Sequence, residues 1–197
     1  MGRPATHDTD QLLDAALALA ATGAEGVTVA AVARAAGAPS GSVYHRFASR
    51  SALLGALWVR TVASFQGGFL AALGEHEPEA ARVGAAAHVL RWSREHPEAA
   101  MTLLHGASAY DQDGWPAELT AAAEAQAAAL DRALALLATR TPGGRAENLQ
   151  LLTFVTIDAP YAIVRRHLRA GQPIPASADE MIERCARTLA GAALEAR

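Results

Sequence analysis

An all-α fold is predicted by three features of the 197-residue sequence. Alanine makes up about a quarter of the chain, aromatics only 5%, and β-branched residues never cluster into strand-like runs. High helix propensity throughout leaves strands no segment to occupy. Apolar residues recur at helical rather than alternating spacing, and Gly, Pro or Asn/Asp clusters punctuate the pattern at intervals that give about nine helices. The length accommodates one domain or two small ones with a real core.

The most informative stretch is Thr28 to Phe47, TVAAVARAAGAPSGSVYHRF. Val29, Val32, Ala33 and Ala36 fall at i, i+3, i+4 and i+7, the apolar face of a short helix. Thr28 stands at its N-cap and Gly37 just beyond its last turn. Pro39 opens a second helix from Ser40 to Phe47, with Val43 and Phe47 turned inward. Its outward face is Ser40, Gly41, Ser42, Tyr44, His45 and Arg46, which is small, hydroxylated, aromatic and cationic without an acid. Two helices about a Gly-containing turn, the second polar outside, predict a DNA-binding helix-turn-helix.

The stretch resembles the N-terminal domain of the TetR family of transcriptional regulators. The resemblance begins at Leu12-Leu13-Asp14-Ala15-Ala16. It continues through Gly23, Gly26 to Val29, Val32-Ala33, Ala36-Gly37, Gly41 to Tyr44, Phe47, Ser49-Arg50 and Leu53-Leu54, roughly the first quarter of the chain. Many matched positions in one register are far more specific than a short motif. Two departures are visible. Pro39 stands where family members often carry Ser, and Arg50 where Lys is usual, offering a planar fork in place of a point charge.

Charge is arranged accordingly. Between Gly26 and Gly74 there are four arginines (34, 46, 50 and 60) and no acid, within a chain of net charge −3. A nucleic-acid binder need not be basic overall if its contact face is. Arg50 opposes the dipole in the first turn of helix 4, a local rule broken where an anion docks. Tyr44, His45, Arg50 and the Thr28 hydroxyl are therefore expected at phosphates. Ser40, Gly41, Ser42 and Arg46 are expected at base edges.

In chain order, Met1 to Thr6 is either a minor-groove arm, through Gly2-Arg3-Pro4, or a disordered tail. Helix 1 spans about Thr9 to Thr22, with Asp8 and Gln11 at capping-box spacing and Leu12, Leu13, Ala16, Leu17 and Ala20 buried. Helix 4, about 49–73, begins at Ser49 and is interrupted by Gly67-Gly68, a possible hinge. The expected domains are 1–50, which reads DNA, and 51–197, which binds ligand and dimerises, with helix 4 shared between them. Further helices are expected over Pro78–Glu95, Pro97–Ser108, Pro116–Arg140, Arg145–Ala170 and Ala178–Glu195. Pro160 predicts a kink near Thr156.

Catalysis is not expected. The seven histidines include no i, i+4 pair for a metal, no nucleophile elbow or phosphate-cradling loop is present, and no cofactor is implied. One cysteine, Cys185, precludes an internal disulfide and fits a reducing cytoplasm. No apolar run approaches the ~18 residues of a membrane span.

The resemblance implies a small-molecule cavity among helices 4 to 8 and dimer pairing through helices 8 and 9. Candidate cavity residues are Trp92, Met101, His105, Phe154 and Tyr161, although aromatic residues at helical spacing are more often core than pocket. Asp158 follows an apolar run and has three readings: a polar anchor in the cavity, a cap for a helix restarting at Pro160, or a partner for Arg165. Ile182, Cys185 and Leu189 form a stripe, flanked by small residues, that either meets a second subunit or packs within its own. The expected protein is a homodimeric regulator of double-stranded DNA carrying a palindrome-like operator. It is most simply a repressor released by a small, largely apolar effector. The alternatives are an activator, or a helical protein-interaction module that binds no operator.

Overall fold

The computed structural model describes residues 8–143 and 145–195, and the side chains of these as far as residue 187. The expected N-terminal arm and the Leu189 side chain lie outside the described residues. The elements are α1 (Thr9–Ala20), α2 (Val29–Ala35), α3 (Ser40–Arg46), α4 (Arg50–Leu73), α5 (Pro78–Glu95), α6 (Pro97–His105), α7 (Ala117–Arg140), α8 (Arg145–Thr153), α9 (Ala159–Arg169) and α10 (Ser177–Glu195). A π-helical segment, Phe154–Asp158, joins α8 to α9. These three run on as a single helix, so the expected nine are present among the described residues, none of which is in a strand. No described helix is long and apolar enough to cross a membrane.

The π segment is the form the expected kink takes. Pro160 has no N–H to give to the carbonyl four residues back, and its ring crowds that carbonyl. Widening the preceding turn to i→i+5 spacing accommodates both faults without ending the helix.

Contacts divide the described residues into two compact units. The first comprises residues 8–62 and 98–124, and the second 63–97, 125–143 and 145–195. Helices α4 and α7 each contribute to both.

In the first unit, Leu12, Leu13 and Ala16 of α1 close on Val29, Val32 and Ala33 of α2, on Val43 of α3 and on Leu53, Leu54 and Leu57 of α4. Tyr110 and Trp115 belong to the same core, although they lie in the segment after α6. Trp115 packs against Gly55, and its indole N–H donates to the Tyr110 carbonyl oxygen (2.7 Å). The Tyr110 hydroxyl is fully buried near Thr102 without a well-formed hydrogen bond, and burial pushes its phenol pKa up.

In the second unit, α10 and the α8–α9 helix pack on α5. Ile182 and Ala186 of α10 are buried there. Arg82 of α5, itself buried, donates from Nε to the Ala186 carbonyl oxygen (2.9 Å). Arg94 pairs bidentately with Asp179 (2.8 and 2.9 Å) and donates to the carbonyls of Ile174 and Pro175, fixing the loop before α10.

Helix α4 passes through Gly67-Gly68 without interruption. A Cβ on Gly68 would lie 2.4 Å from His88 Cε1, whereas one on Gly67 would meet nothing. His88 is buried between α4 and α5, its Nε2 2.9 Å from the Phe65 carbonyl oxygen and its ring against Phe65 and Phe69. Desolvation is the main cause holding its pKa below 6.5, with Arg91 adding to it and the Phe65 carbonyl and Glu95 opposing it. The unfolded chain therefore binds the proton first as pH falls. Stability is full above 6.5 and declines below it. Denaturant titrations at pH 7 and pH 5 should show a smaller loss for His88→Gln than for wild type.

Candidate nucleic-acid interface

The reading head is built from three short helices whose ends are closed by local chemistry. The Thr28 hydroxyl oxygen accepts from the Ala31 N–H (3.1 Å), leaving its own proton free to donate outward. At the far end of α2, Gly37 adopts φ 64°, and the Ala38 N–H returns to the Ala33 carbonyl (2.8 Å), a Schellman closure. The turn then passes through Ala38 and Pro39, and α3 starts without a side-chain cap. In its first turn the Ser42 N–H donates to the Pro39 carbonyl oxygen (2.9 Å).

On α3, Val43 is buried, while Ser40, Gly41, Tyr44 and His45 are exposed and Ser42 and Arg46 half-buried. Tyr44 is 59% exposed, so its phenol is presented to solvent. A Cβ at Gly41 would find no atom within 4 Å, so the helix backbone there is open to close approach. Arg46 Nη1 folds back on the Ser42 carbonyl oxygen (3.3 Å), which directs part of its fork along the helix rather than away from it.

Arg50 has a structural explanation that the sequence did not suggest. Its Nε donates to the Val27 carbonyl oxygen (2.8 Å) and its Nη2 to that of Ala24 (2.6 Å). A cation in the first turn of α4 is held by two carbonyls of the α1–α2 connection, so an anion is not needed to account for it. Arg60, the fourth cation of the basic stretch, is paired with Asp14 (2.8 Å) and lies near Asp10 (3.8 Å), tying α4 to α1. Acids from α1 therefore offset part of the positive charge counted along the sequence. Arg50→Ala should lower stability by about 1 kcal/mol after allowance for solvent screening. Arg50→Lys should recover only part of this, because an ammonium cannot reproduce the two-pronged geometry. Chemical denaturation of the three proteins measures the difference.

Helix α4 also recovers the acid its own first turn lacks. Ser49 caps it through the Ala52 N–H (3.0 Å), and Ser51 Oγ donates to Asp111 Oδ2 (2.5 Å), bringing a carboxylate from the segment after α6 to this helix start. No sequence pattern marks Asp111 for this place.

Of the six residues expected to line an effector cavity, Met101 and His105 are in the first unit and the other four in the second. Trp92 is buried, its ring packed edge-on to Phe65 and against His96. Phe154, Asp158 and Tyr161 are exposed, and Asp158 makes no cap bond at α9. The Arg165 guanidinium lies 5.8 Å from the Tyr161 ring centroid, so Arg165 faces the tyrosine as a cation–π partner. In the expected subunit-contact stripe, Ile182 is 3% exposed against its own chain and Cys185 half-buried. Met181, one position earlier, is 57% exposed instead.

Residues 12–57 match the family model of bacterial regulatory proteins of the tetR family. Solved structures similar to the whole chain include a TetR-like transcriptional regulator from Rhodococcus sp. RHA1, with TM-score 0.68 and 21% identity over 97% of this chain and 99% of that one. Another is the regulator PfmR from Thermus thermophilus, with TM-score 0.68 and 17% identity over 93% and 98%. A third is FadR from Bacillus subtilis, in complex with stearoyl-CoA, with TM-score 0.66 and 14% identity over 91% and 98%. No curated protein sequence matches the chain.

Proposed function

We propose that the chain, a DNA-binding regulator of the bacterial TetR family by its N-terminal domain and its fold, acts as a homodimeric repressor that a small molecule releases from a palindrome-like operator. The observation that carries the DNA reading is the outer face of α3. There Ser40, Gly41, Tyr44 and His45 are exposed together, with empty space before Gly41 and no acid among them. A helix face of this kind fits a major groove, its small first turn against base edges and its phenol and imidazole against flanking phosphates. Thr28 adds a hydroxyl donor at the start of α2. Arg46 keeps a role at base edges only if it leaves the Ser42 carbonyl on binding.

One short recognition helix reads too few base pairs to select a site in a genome, so two heads must act together. Pairing is supported by the large apolar side chains that α8, the π segment, α9 and α10 leave exposed: Leu149, Phe154, Tyr161 and Met181. Burying them against a second copy would remove that apolar surface from water.

An effector is supported by the buried, poorly partnered Tyr110 hydroxyl beside Thr102, since an orphaned polar atom in a core is a place where a ligand group or water is accommodated. FadR, with stearoyl-CoA, shows that a protein of this fold takes up a long acyl ligand. Effectors of that apolar kind are the first to screen against this chain.

The test is fluorescence anisotropy on a duplex that the wild-type protein selects from a random pool. Gly41→Leu, a substitution the fold accommodates, should weaken that binding by at least about tenfold with no fall in melting temperature. Tyr44→Ala should weaken binding to all duplexes alike and leave the salt dependence unchanged, because a neutral phenol at a phosphate releases no counterion. Failure of the wild type to select any duplex would leave the interaction-module reading in its place. Reporter output that rises on removal of the protein separates a repressor from an activator.

A further inference from the structure

The segment between α6 and α7 is folded with more constraint than a connection requires. Residues 107–110 and 112–114 form two tight turns, and Asp111 between them adopts φ 57°, the only left-handed residue other than glycine among those described. Such a conformation persists only where surroundings over-determine it. Here the surroundings are the first two turns of α4. Ser51, Gly55 and Trp58 recur at i, i+4 and i+7, one face of that helix, and each meets the segment. Ser51 Oγ donates to Asp111 Oδ2 (2.5 Å). A Cβ on Gly55 would stand 3.0 Å from Trp115 Cγ. The Trp58 ring lies 5.6 Å from that of Tyr110. Gly114 lets the segment approach, since a Cβ there would lie 2.9 Å from Ser51 Oγ. On its other faces the same stretch of α4 carries Leu53, Leu54 and Leu57 into the core of the reading head, and Arg50 grips the carbonyls of Ala24 and Val27.

We propose that Ser51 and Asp111 are a positioning pair for DNA binding: they hold the first turn of α4, and with it the orientation of the reading head, without touching DNA themselves. The proposal rests on the operator-binding reading given above. Asp111 lies in the same compact unit as the reading head, at the start of α4, so simple electrostatics and positioning predict opposite signs. A carboxylate in the unit that meets phosphates repels them, and its removal should tighten binding to every duplex. If its task is to hold α4, its removal should loosen binding to the selected operator.

The experiment uses the full chain and the duplex that the wild type selects from a random pool, together with versions of that duplex one base pair longer and shorter between half-sites. Ser51→Ala removes the donor without changing charge, and Asp111→Gly removes the acceptor at a backbone conformation glycine adopts freely. Asp111→Asn keeps an acceptor oxygen and tolerates the left-handed region. Ser51→Ala and Asp111→Gly are each expected to lose roughly fivefold to tenfold in affinity for the selected duplex. Part of that loss should be recovered on an altered spacing, with melting temperatures close to wild type and Asp111→Asn binding like wild type. Two results overturn the proposal: unchanged or tighter binding by both variants, or a loss that is equal on all three spacings and tracks a fall in melting temperature. A wild type that selects no duplex overturns the operator reading and this pair with it. A wild type that selects one while both variants match it overturns the pair alone.

Discussion

Alanine at position 68 is expected to destabilise the protein, and alanine at position 67 to stabilise it. Both positions are in the interior of α4, where Gly→Ala gains about 1 kcal/mol from helix propensity. At Gly67 nothing opposes that gain. At Gly68 the new methyl would stand 2.4 Å from His88 Cε1 and 2.7 Å from Nδ1. The ring could yield only by abandoning the Phe65 carbonyl and its packing against Phe65 and Phe69. Overpacking of this kind costs on the order of 1–3 kcal/mol, enough to reverse the propensity gain. The two variants should therefore differ by that cost, roughly 1–3 kcal/mol, or about 2–12 °C in melting temperature for a chain of this size. Adding His88→Ala to Gly68→Ala should recover part of the loss. Equal melting temperatures for the two single variants would show that the His88 ring moves aside freely.

That pair of glycines marks where sequence reasoning reached its limit. Helix boundaries were legible because they depend on neighbours in the chain: Thr28 and Ser49 cap, Gly37 closes α2, and α5 starts at Pro78, all as their residue types require. Gly67-Gly68 reads locally as a weak point, yet Gly68 is matched to a histidine twenty positions away on another helix. Arg50 reads as an unpaired cation at a helix start, and its carbonyl partners lie 23 and 26 residues earlier. Asp111 carries no signal at all, because its meaning comes from Ser51, 60 residues back. The outer face of α3 was readable for the opposite reason. Ser40, Gly41, Tyr44 and His45 are exposed there, so their chemistry is not spent on packing and appears directly in the composition. The cavity residues were not legible in the same way, because aromatic character reports that a side chain must leave water, without saying whether it meets its own core, a ligand or another subunit.

The largest contrast is expected at two adjacent positions of α10. Ile182 is 3% exposed and packs in the core that α10 forms with α5, while Met181 is 57% exposed on the neighbouring face. Arg at 182 would place a cation among apolar neighbours with no counter-charge, a burden of several kcal/mol that the fold relieves only by opening. Ile182→Arg should therefore unfold the protein or leave it aggregated, with loss of helical circular dichroism at ambient temperature. Arg at 181 meets water in the single chain and costs the fold little. If Phe154, Tyr161 and Met181 meet their copies across a two-fold axis, however, each substitution appears twice in one interface and sets like charges against each other. Met181→Arg, and more strongly Met181→Arg combined with Phe154→Arg, should give a folded monomer by light scattering at micromolar concentration, with operator affinity lowered in step because two heads no longer act together. A double variant that stays dimeric and binds operator as the wild type does would place the subunit contact on another face. A wild type that is monomeric at the same concentration would remove the dimer itself.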